Sequence, residues 1–492
     1  MALTDSQYLA WLNSPSAIRC LLVEASALVD GVETVRYLSS AGYVTGALDV
    51  PAHAAYLAVV RGGVTITEKL SIDGSASLSF GDIEIGNENG ERDAWLDDVW
   101  ANRPVNLFMG DVRWPRADFR QIFSGMLAGI SSRERNTLNL ALRDKLQRLN
   151  TPVSDTKLGG TGENRDRLIP FCAGECHNVE PLLIDAAQLK YQVHDGAIER
   201  IIEVRDNGMP VAFIEDLAAG TFTLASNPAG LITCSVQGDK AGGVYRNTVA
   251  ALVQRIVTGY GKAADRFTAG DLDADNLTAF EALHPQPVGL YLADRTNVLQ
   301  ACADLASSVG AQLVMTATGL LQLLKIALPP AGVPVAVTSQ HMAEDSMHIA
   351  DRPAVQASVK AGYCRCWTVQ SDLQTGIPEQ HKKLFGMEWL TTTALDAAVA
   401  GAWRLSTESE QIQTLLLTES DAGGEAARRL ALWSVQRTVF GYTGTPALML
   451  AALGSAQTLT HGRFGLGGGV TGQVVGLSRD WLTCRTQIEV LA

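Results

Sequence analysis

Between Asn178 and Asp239 short apolar runs alternate with turn pairs: Asp195-Gly196, Asn207-Gly208, Ala219-Gly220, Asn227-Pro228 and Gly238-Asp239. Asp-Gly and Asn-Gly supply the positive φ angles that tight hairpins need, so this spacing predicts a β meander. The chain opens in the same style. AIRCLLVEASALV, then Asp30-Gly31, then VETVRYLSS reads as a hairpin. AAYLAVV, VTITEKLSI and ASLSFGDIEI continue it, with Asp73-Gly74 as a further turn, and PVNLFMGDV, FRQIFSGMLAGISS and NTLNLALRD follow as strands.

Helical periodicity appears in fewer places. In RDAWLDDVWAN, Trp95, Leu96, Val99 and Trp100 would share one apolar face. Val249, Leu252, Val253 and Ile256 recur at helical spacing behind a possible Asn247 cap. Val298, Cys302, Leu305 and Val309 do the same, with Asp294 as N-cap and Gly310 as stop. DKLQRLN and EAARRLALWSVQR read as helices, and QTGIPEQHKK as a polar loop. AQLVMTA, Thr318-Gly319 and LLQLLKIAL make another hairpin. Glycines ahead of VTGQVVGL suit a bend or bulge at a barrel corner, and TQIEVL alternates as a last strand.

These elements predict a mainly β chain with short helices, a β-rich α+β protein holding several β-barrel or β-sandwich domains. The boundaries fall at polar or Pro-rich stretches: a β-rich first domain over 1–150, a flexible linker over 151–168, a mixed meander and helix domain over 169–328, and a β-barrel-like domain over 329–492. At 492 residues the chain exceeds what one core holds.

Composition narrows the function. Charged residues are 18% of the chain, below the usual quarter or so, which suits a surface partly covered in an assembly. A net charge of −13 argues against a nucleic-acid-binding surface spread over the whole chain. No window holds the roughly 20 apolar residues of a spanning helix. Asp5 and Gln7 interrupt the opening segment, which lacks the pattern of a signal peptide. The eight cysteines are scattered, so free thiols are expected.

Candidate chemistry is thin. Cys172, Cys176 and His177 in FCAGECHN resemble half of a metal site, with Cys364 and Cys366 as further thiolates. The spacing lacks the paired C-x2-C pattern, so ordinary buried thiols and no bound metal are expected. Asp271, Asp273 and Asp275 imitate the opening of a calcium loop, but Asn276 and Ala282 stand where Gly and Glu are required, so a solvated acidic turn is the reading. Gly465, Gly467, Gly468 and Gly469 lack the Gly-Lys-Ser/Thr ending of a phosphate loop. No G-x-S-x-G or H-E-x-x-H occurs, so no catalytic residues and no cofactor are assigned.

The order of PLLID, YQVHDGAI, VRDNGMPV, GTFTL, PAGLIT and VQGD ahead of an amphipathic helix resembles tail-tip, or baseplate hub, proteins of long-tailed (siphovirus-type) bacteriophages. FRQIFSGML leading to LRDKLQRLNTPV, and LASSVGA followed by a hairpin before LLQL, resemble the same family. The resemblance implies a non-enzymatic component of the virion tail, made in the host cytoplasm. Its copies would form a ring that closes the tail tube and carries fibres or receptor-binding proteins. Partners would be the chain itself, tail tube or distal tail, tape measure and fibres, with DNA only in transit. Tail tubes of the family are hexameric. A chain with β-rich blocks near 17–150 and 330–492 matches that surface best as a trimer with pseudo-sixfold contacts. The alternatives are a hexameric distal-tail adaptor, and a carbohydrate-active or receptor-binding tail protein with an aromatic-lined groove and paired carboxylates.

Overall fold

The computed structural model describes residues 3–62, 64–72 and 77–492. The Asp73-Gly74 turn lies outside the described residues. Strands take up 39% of the structure and helices 20%, so the protein is mainly β. The chain divides into two compact units. One takes residues 1–147, 314–353 and 436–492; the other takes 148–313 and 354–435.

The first unit contains a nine-stranded sheet. Arg19–Val29 turns through Asp30 and Gly31, both at positive φ, and pairs antiparallel with Val32–Ser39. On its other side it pairs with Pro104–Asp111, and Arg120–Ser131 and Thr137–Arg143 follow. Strand alternation sends Leu21, Val23, Ala25 and Ala27 into one core with Val105, Leu107 and Met109. Cys20 and Leu22 face the opposite side, against Tyr43, Tyr56 and Phe119. Burial on both faces explains why this strand reads as a nearly unbroken apolar run.

A second sheet in this unit runs in the order Val335–Thr338, Ala456–Thr460, Val470–Asp480, Arg485–Leu491, Val439–Gly444 and His348–Asp351. Thr65–Lys69 pairs antiparallel with Val470–Asp480, so residues from near both ends of the chain share one ladder. The expected barrel is not found. None of the sheets closes among the described residues. Closure needs the first and last strands of the order to pair; here Val335–Thr338 and His348–Asp351 remain at opposite margins. The glycines expected at a barrel corner instead wrap a 3-10 turn, Leu466–Gly468, with Gly465 and Gly469 at positive φ. The bulge lies further on, between Val474 and Gly476.

RDAWLDDVWAN does not make the expected helix. Only a 3-10 turn forms, Asp93–Leu96. Trp95 and Trp100 are buried, while Leu96 and Val99 are 45% and 49% exposed. Val99 is held extended by reciprocal backbone bonds to Leu28 (2.9 and 3.1 Å), which stops the helix from continuing.

In the second unit the predicted meander separates into two sheets. One has the order Met209–Pro210, Ile198–Asp206, Ile232–Asp239, Phe171–Val179, Gly289–Leu292; the other has Leu182–Asp185, Lys190–Gln192, Thr221–Leu224, Phe213–Asp216. Side chains from both meet in one core. Tyr191 stacks on Phe222 with centroids 5.3 Å apart, and Cys172, Val204, Cys234 and Val236 join them. Asn207-Gly208 closes a two-residue hairpin with both residues at positive φ. Gly238-Asp239 is the end of a strand rather than a turn. Glycine stands there because a Cβ would lie 2.2 Å from the Cys172 carbonyl oxygen.

The helices Val249–Gly259 and Val298–Ser308 form as the apolar spacing predicts. Their caps differ from expectation by one and three residues: Thr248 precedes the first, and Asn297 caps the second by accepting the Gln300 N–H at 2.8 Å. Asp294 is engaged instead by Thr296. Helix Glu419–Trp433 lies on a three-stranded sheet of Leu390–Leu395, Ser358–Tyr363 and Gln411–Gln413. The polar stretch QTGIPEQHKK carries the start of a helix, Glu379–Gly386. The stretch read as a linker closes a loop on itself: Leu158 donates to Arg167 at 3.0 Å and Ile169 to Thr156 at 2.9 Å, with Val153 buried.

Candidate functional site

The FCAGECHN segment becomes the strand Phe171–Val179. Alternation puts Cys172 and Cys176 in the core of the second unit beside Cys234, and leaves His177 and Glu175 half-buried on the other face. Burial pushes the Cys176 and Cys234 thiols well above their ordinary range. His177 Nε2 lies 3.1 Å from Glu175 Oε1, and this partner holds the Glu175 carboxyl below its usual value. Cys366 sits near the neighbouring residue: Asn178 Nδ2 donates to its sulfur at 3.1 Å. Cys364 is pushed up to about 11, by burial first and then by the charges of Cys366 and Glu175. The five candidate ligands thus fall on opposite faces of one strand and on a neighbouring turn. Among the described residues no group of three or more His, Cys, Asp or Glu side chains gathers as a metal site would.

Two of the calcium-like acids cap the starts of short helical segments. Asp271 accepts from Thr268 in a capping box, and Asp273 caps the helix Ala274–Leu283 by accepting from Asn276 N–H at 3.0 Å. Asp271 is buried, not solvated as the sequence suggested.

A buried polar network lies nearby. His194 Nδ1 accepts the Cys172 N–H at 3.1 Å, which leaves Nε2 towards Asp239 at 3.4 Å. Arg255 Nε donates to Asp239 at 2.7 Å and Tyr260 Oη at 3.2 Å. Burial alone would raise the Asp239 carboxyl, but bonds from His194 and Arg255 overcome it and hold it far below the carboxylate range. His194 and Asp239 are buried, and the network fastens the Ile232–Asp239 strand to helix Val249–Gly259.

The accessible chemistry lies elsewhere in the same unit, in a cleft of about 560 Å³. That volume is within the range of small-ligand sites, roughly 300–1,000 Å³. Its walls come from the strand end Leu290–Ala293, the segment Gln413–Leu415, and the turn that carries Arg365 and Trp367. Arg365 lies between two indoles, 4.1 Å from the Trp367 centroid and 4.7 Å from that of Trp389. Such stacking holds a guanidinium flat by cation–π attraction. Its Nη2 also donates to Glu388 at 2.9 Å. Trp389 Nε1 is fixed by the Thr414 carbonyl at 3.1 Å. Asp304 lines the same cleft. Burial pushes its carboxyl up, against the opposing effects of a bond from Gln300 and the Arg365 charge.

Sequence reasoning singled out CRCW for its thiols and passed over the arginine and tryptophan between and beyond them. The signal was there: in a run alternating Arg365, Cys366 and Trp367, an inward cysteine sends its two neighbours outward together.

No family model and no curated protein matches this chain. Solved structures do. The tail protein from Neisseria meningitidis MC58 aligns over 96% of this chain and 96% of its own, at 11% identity and a TM-score of 0.39. The 43 kDa tail protein of prophage MuSo2 from Shewanella oneidensis aligns over 96% and 98%, at 10% identity and 0.39. Prophage tail protein gp18 from Listeria monocytogenes EGD-e aligns over 96% and 94%, at 8% identity and 0.41. All three are tail proteins, two of them of prophages, and at such identities and TM-scores the likeness is remote.

Proposed function

We propose that the chain is a structural, non-enzymatic component of a phage tail tip or baseplate, where copies form a ring that closes the tail tube and anchors fibres or receptor-binding proteins. The sequence resemblance over three separate blocks motivates this reading. One surface feature carries it. The strands Tyr43–Val44 and Ala55–Ala58 pair at a margin of the nine-stranded sheet. The loop between them holds Leu48 wholly exposed and Val50 89% exposed, beside exposed Val44 and Leu57. The loop is not slack: Asp49 accepts from Gly46 N–H at 2.7 Å and from Arg116 N–H at 3.1 Å. An apolar loop tip held in shape and turned to water fits a protein neighbour better than a solvated end.

Three copies per ring is the expected stoichiometry, with two β-rich blocks per chain matching a sixfold tube. Replacing both Leu48 and Val50 by Asp tests the loop. The isolated chain should melt within a degree or two of the original, and incorporation into particles should be lost. Normal incorporation of the double variant removes the loop from the argument. A particle reconstruction with six copies in one ring would favour the adaptor, and one lacking the chain from the tail would end the reading.

A further inference from the structure

We propose that the cleft of the second unit is a strand-addition site that takes an extended peptide segment bearing a lysine or arginine, contributed by a partner protein. The inference rests on this unit's geometry alone and stands or falls apart from the tail reading.

The main chain carries it. Gly289–Leu292 is the last strand of the five-stranded sheet, and Gln411–Gln413 is the last strand of the three-stranded one. The two begin to pair with each other. Val288 bridges Leu416 antiparallel, and Gly289 donates its N–H to the Leu415 carbonyl at 3.3 Å. Continuing that register would set Leu290 opposite Thr414 and Tyr291 opposite Gln413. The ladder stops instead, and the cleft opens where it would have run, with Leu290, Tyr291, Leu292, Gln413 and Thr414 in its walls.

Peptide alternation decides which groups face the gap. In an antiparallel ladder alternate residues turn N–H and C=O to opposite sides. Gly289 points towards Leu415, so Tyr291, two residues on, points the same way, away from Phe171–Val179. Thr414 donates its N–H to Gly362 in the neighbouring strand at 3.3 Å, so Gln413 points away from that strand. Two strand edges therefore present main-chain donors and acceptors to one gap. An inserted extended segment satisfies both at once, as in β-augmentation.

Charge selects the segment. Arg167 is paired with Glu180 at 3.5 Å and Arg365 with Glu388 at 2.9 Å. Asp294 and Asp304 also line the cleft, but their hydrogen bonds come from Thr296 and Gln300. A basic side chain in the segment complements these two carboxylates. A sugar is disfavoured because the facing surfaces of Trp367 and Trp389 already hold Arg365, and Tyr291 is buried with its hydroxyl bonded to the Glu180 carbonyl at 2.6 Å.

The test uses the full chain and four probes: a capped pentapeptide of alternating Thr and Val with central Lys, the same with central Glu, the Lys peptide N-methylated at alternate amides, and chitotetraose. Residue-resolved amide exchange at Tyr291 and Gln413 is the readout. The Lys peptide should slow both amides, with the Glu peptide about tenfold weaker, a difference of about 1.4 kcal/mol. The N-methylated peptide should give no protection. Asp304→Asn, and separately Asp294→Asn on the exposed rim, should narrow the gap between Lys and Glu peptides while leaving the backbone protection in place. No protection by the Lys peptide at millimolar concentration, equal protection by the N-methylated form, or protection by chitotetraose instead would each overturn the proposal.

Discussion

Two arginine–glutamate pairs in this protein sit in different water and do different work. Glu68 and Arg479, in the first unit, have side chains 6% and 8% exposed. Glu68 also accepts the Ala317 N–H at 3.0 Å, and Arg479 reaches the Ala451 carbonyl. Both Arg479 Nη groups and both Glu68 oxygens are engaged, while the buried Arg479 Nε has no hydrogen-bond partner among the described residues. Arg365 and Glu388, in the second unit, are 32% and 47% exposed. There the arginine is held by two aromatic faces as well as by its ionic partner, and its Nε, like that of Arg479, has no hydrogen-bond partner among the described residues. A closed ion pair fastens strands together; an open one, stacked on aromatic faces, keeps its guanidinium at the wall of a cleft.

The contrast can be broken from the closed side. Glu68→Ala leaves a guanidinium buried and uncompensated, which typically costs about 3–5 kcal/mol. The first unfolding transition in urea should move to markedly lower concentration, followed by near-ultraviolet circular dichroism. A shift as small as that of an ordinary surface substitution would mean that water reaches Arg479.

A third carboxylate sharpens the comparison because backbone N–H groups, not a guanidinium, hold it. Asp144 is pushed up to about 6, by burial first, against bonds from the Leu146 and Gln147 N–H groups. The folded value lies above the unfolded one, so the folded state binds the extra proton. This contribution to stability is present below about pH 4 and is lost as pH rises through about 6. Asp144→Asn should therefore stabilise the protein at pH 7 by up to about 3 kcal/mol and change little at pH 4. Thermal melts at the two pH values check the sign. Equal shifts at both would show that the group titrates normally.

The smallest effect is expected on the open side. Arg365→Ala removes a half-exposed pair worth about 0–1 kcal/mol. The melting temperature should barely move, while indole fluorescence changes as Trp367 and Trp389 lose the cation between them. A large loss of stability would place Arg365 with the closed pairs.

What could be read from sequence follows the range of the interactions. Hairpins such as the one at Asp30-Gly31 were legible because turn chemistry and alternation lie within a dozen residues. Helix Val249–Gly259 was legible for the same reason. RDAWLDDVWAN was misread because its conformation is set by Leu28, some seventy residues away. The barrel was misjudged because closure depends on which strands lie at the two margins of a sheet, and no local pattern reports that. The cleft was illegible for a related reason: it exists because two strands stop pairing, and only a register between residues near 289 and 415 reveals it.

The pairing of Thr65–Lys69 with Val470–Asp480 sets a clock on the protein's birth. Glu68 and Arg479 are 411 positions apart. At a synthesis rate of roughly 5–20 residues per second, the earlier strand waits on the order of 20–80 s for its partner to leave the ribosome. Throughout that interval the edge of Thr65, Ile66 and Thr67 that later meets Val470–Asp480 waits without it. A chain cut short before Val470 would leave Thr65–Lys69 without this partner strand, so a late truncation is felt some four hundred positions upstream.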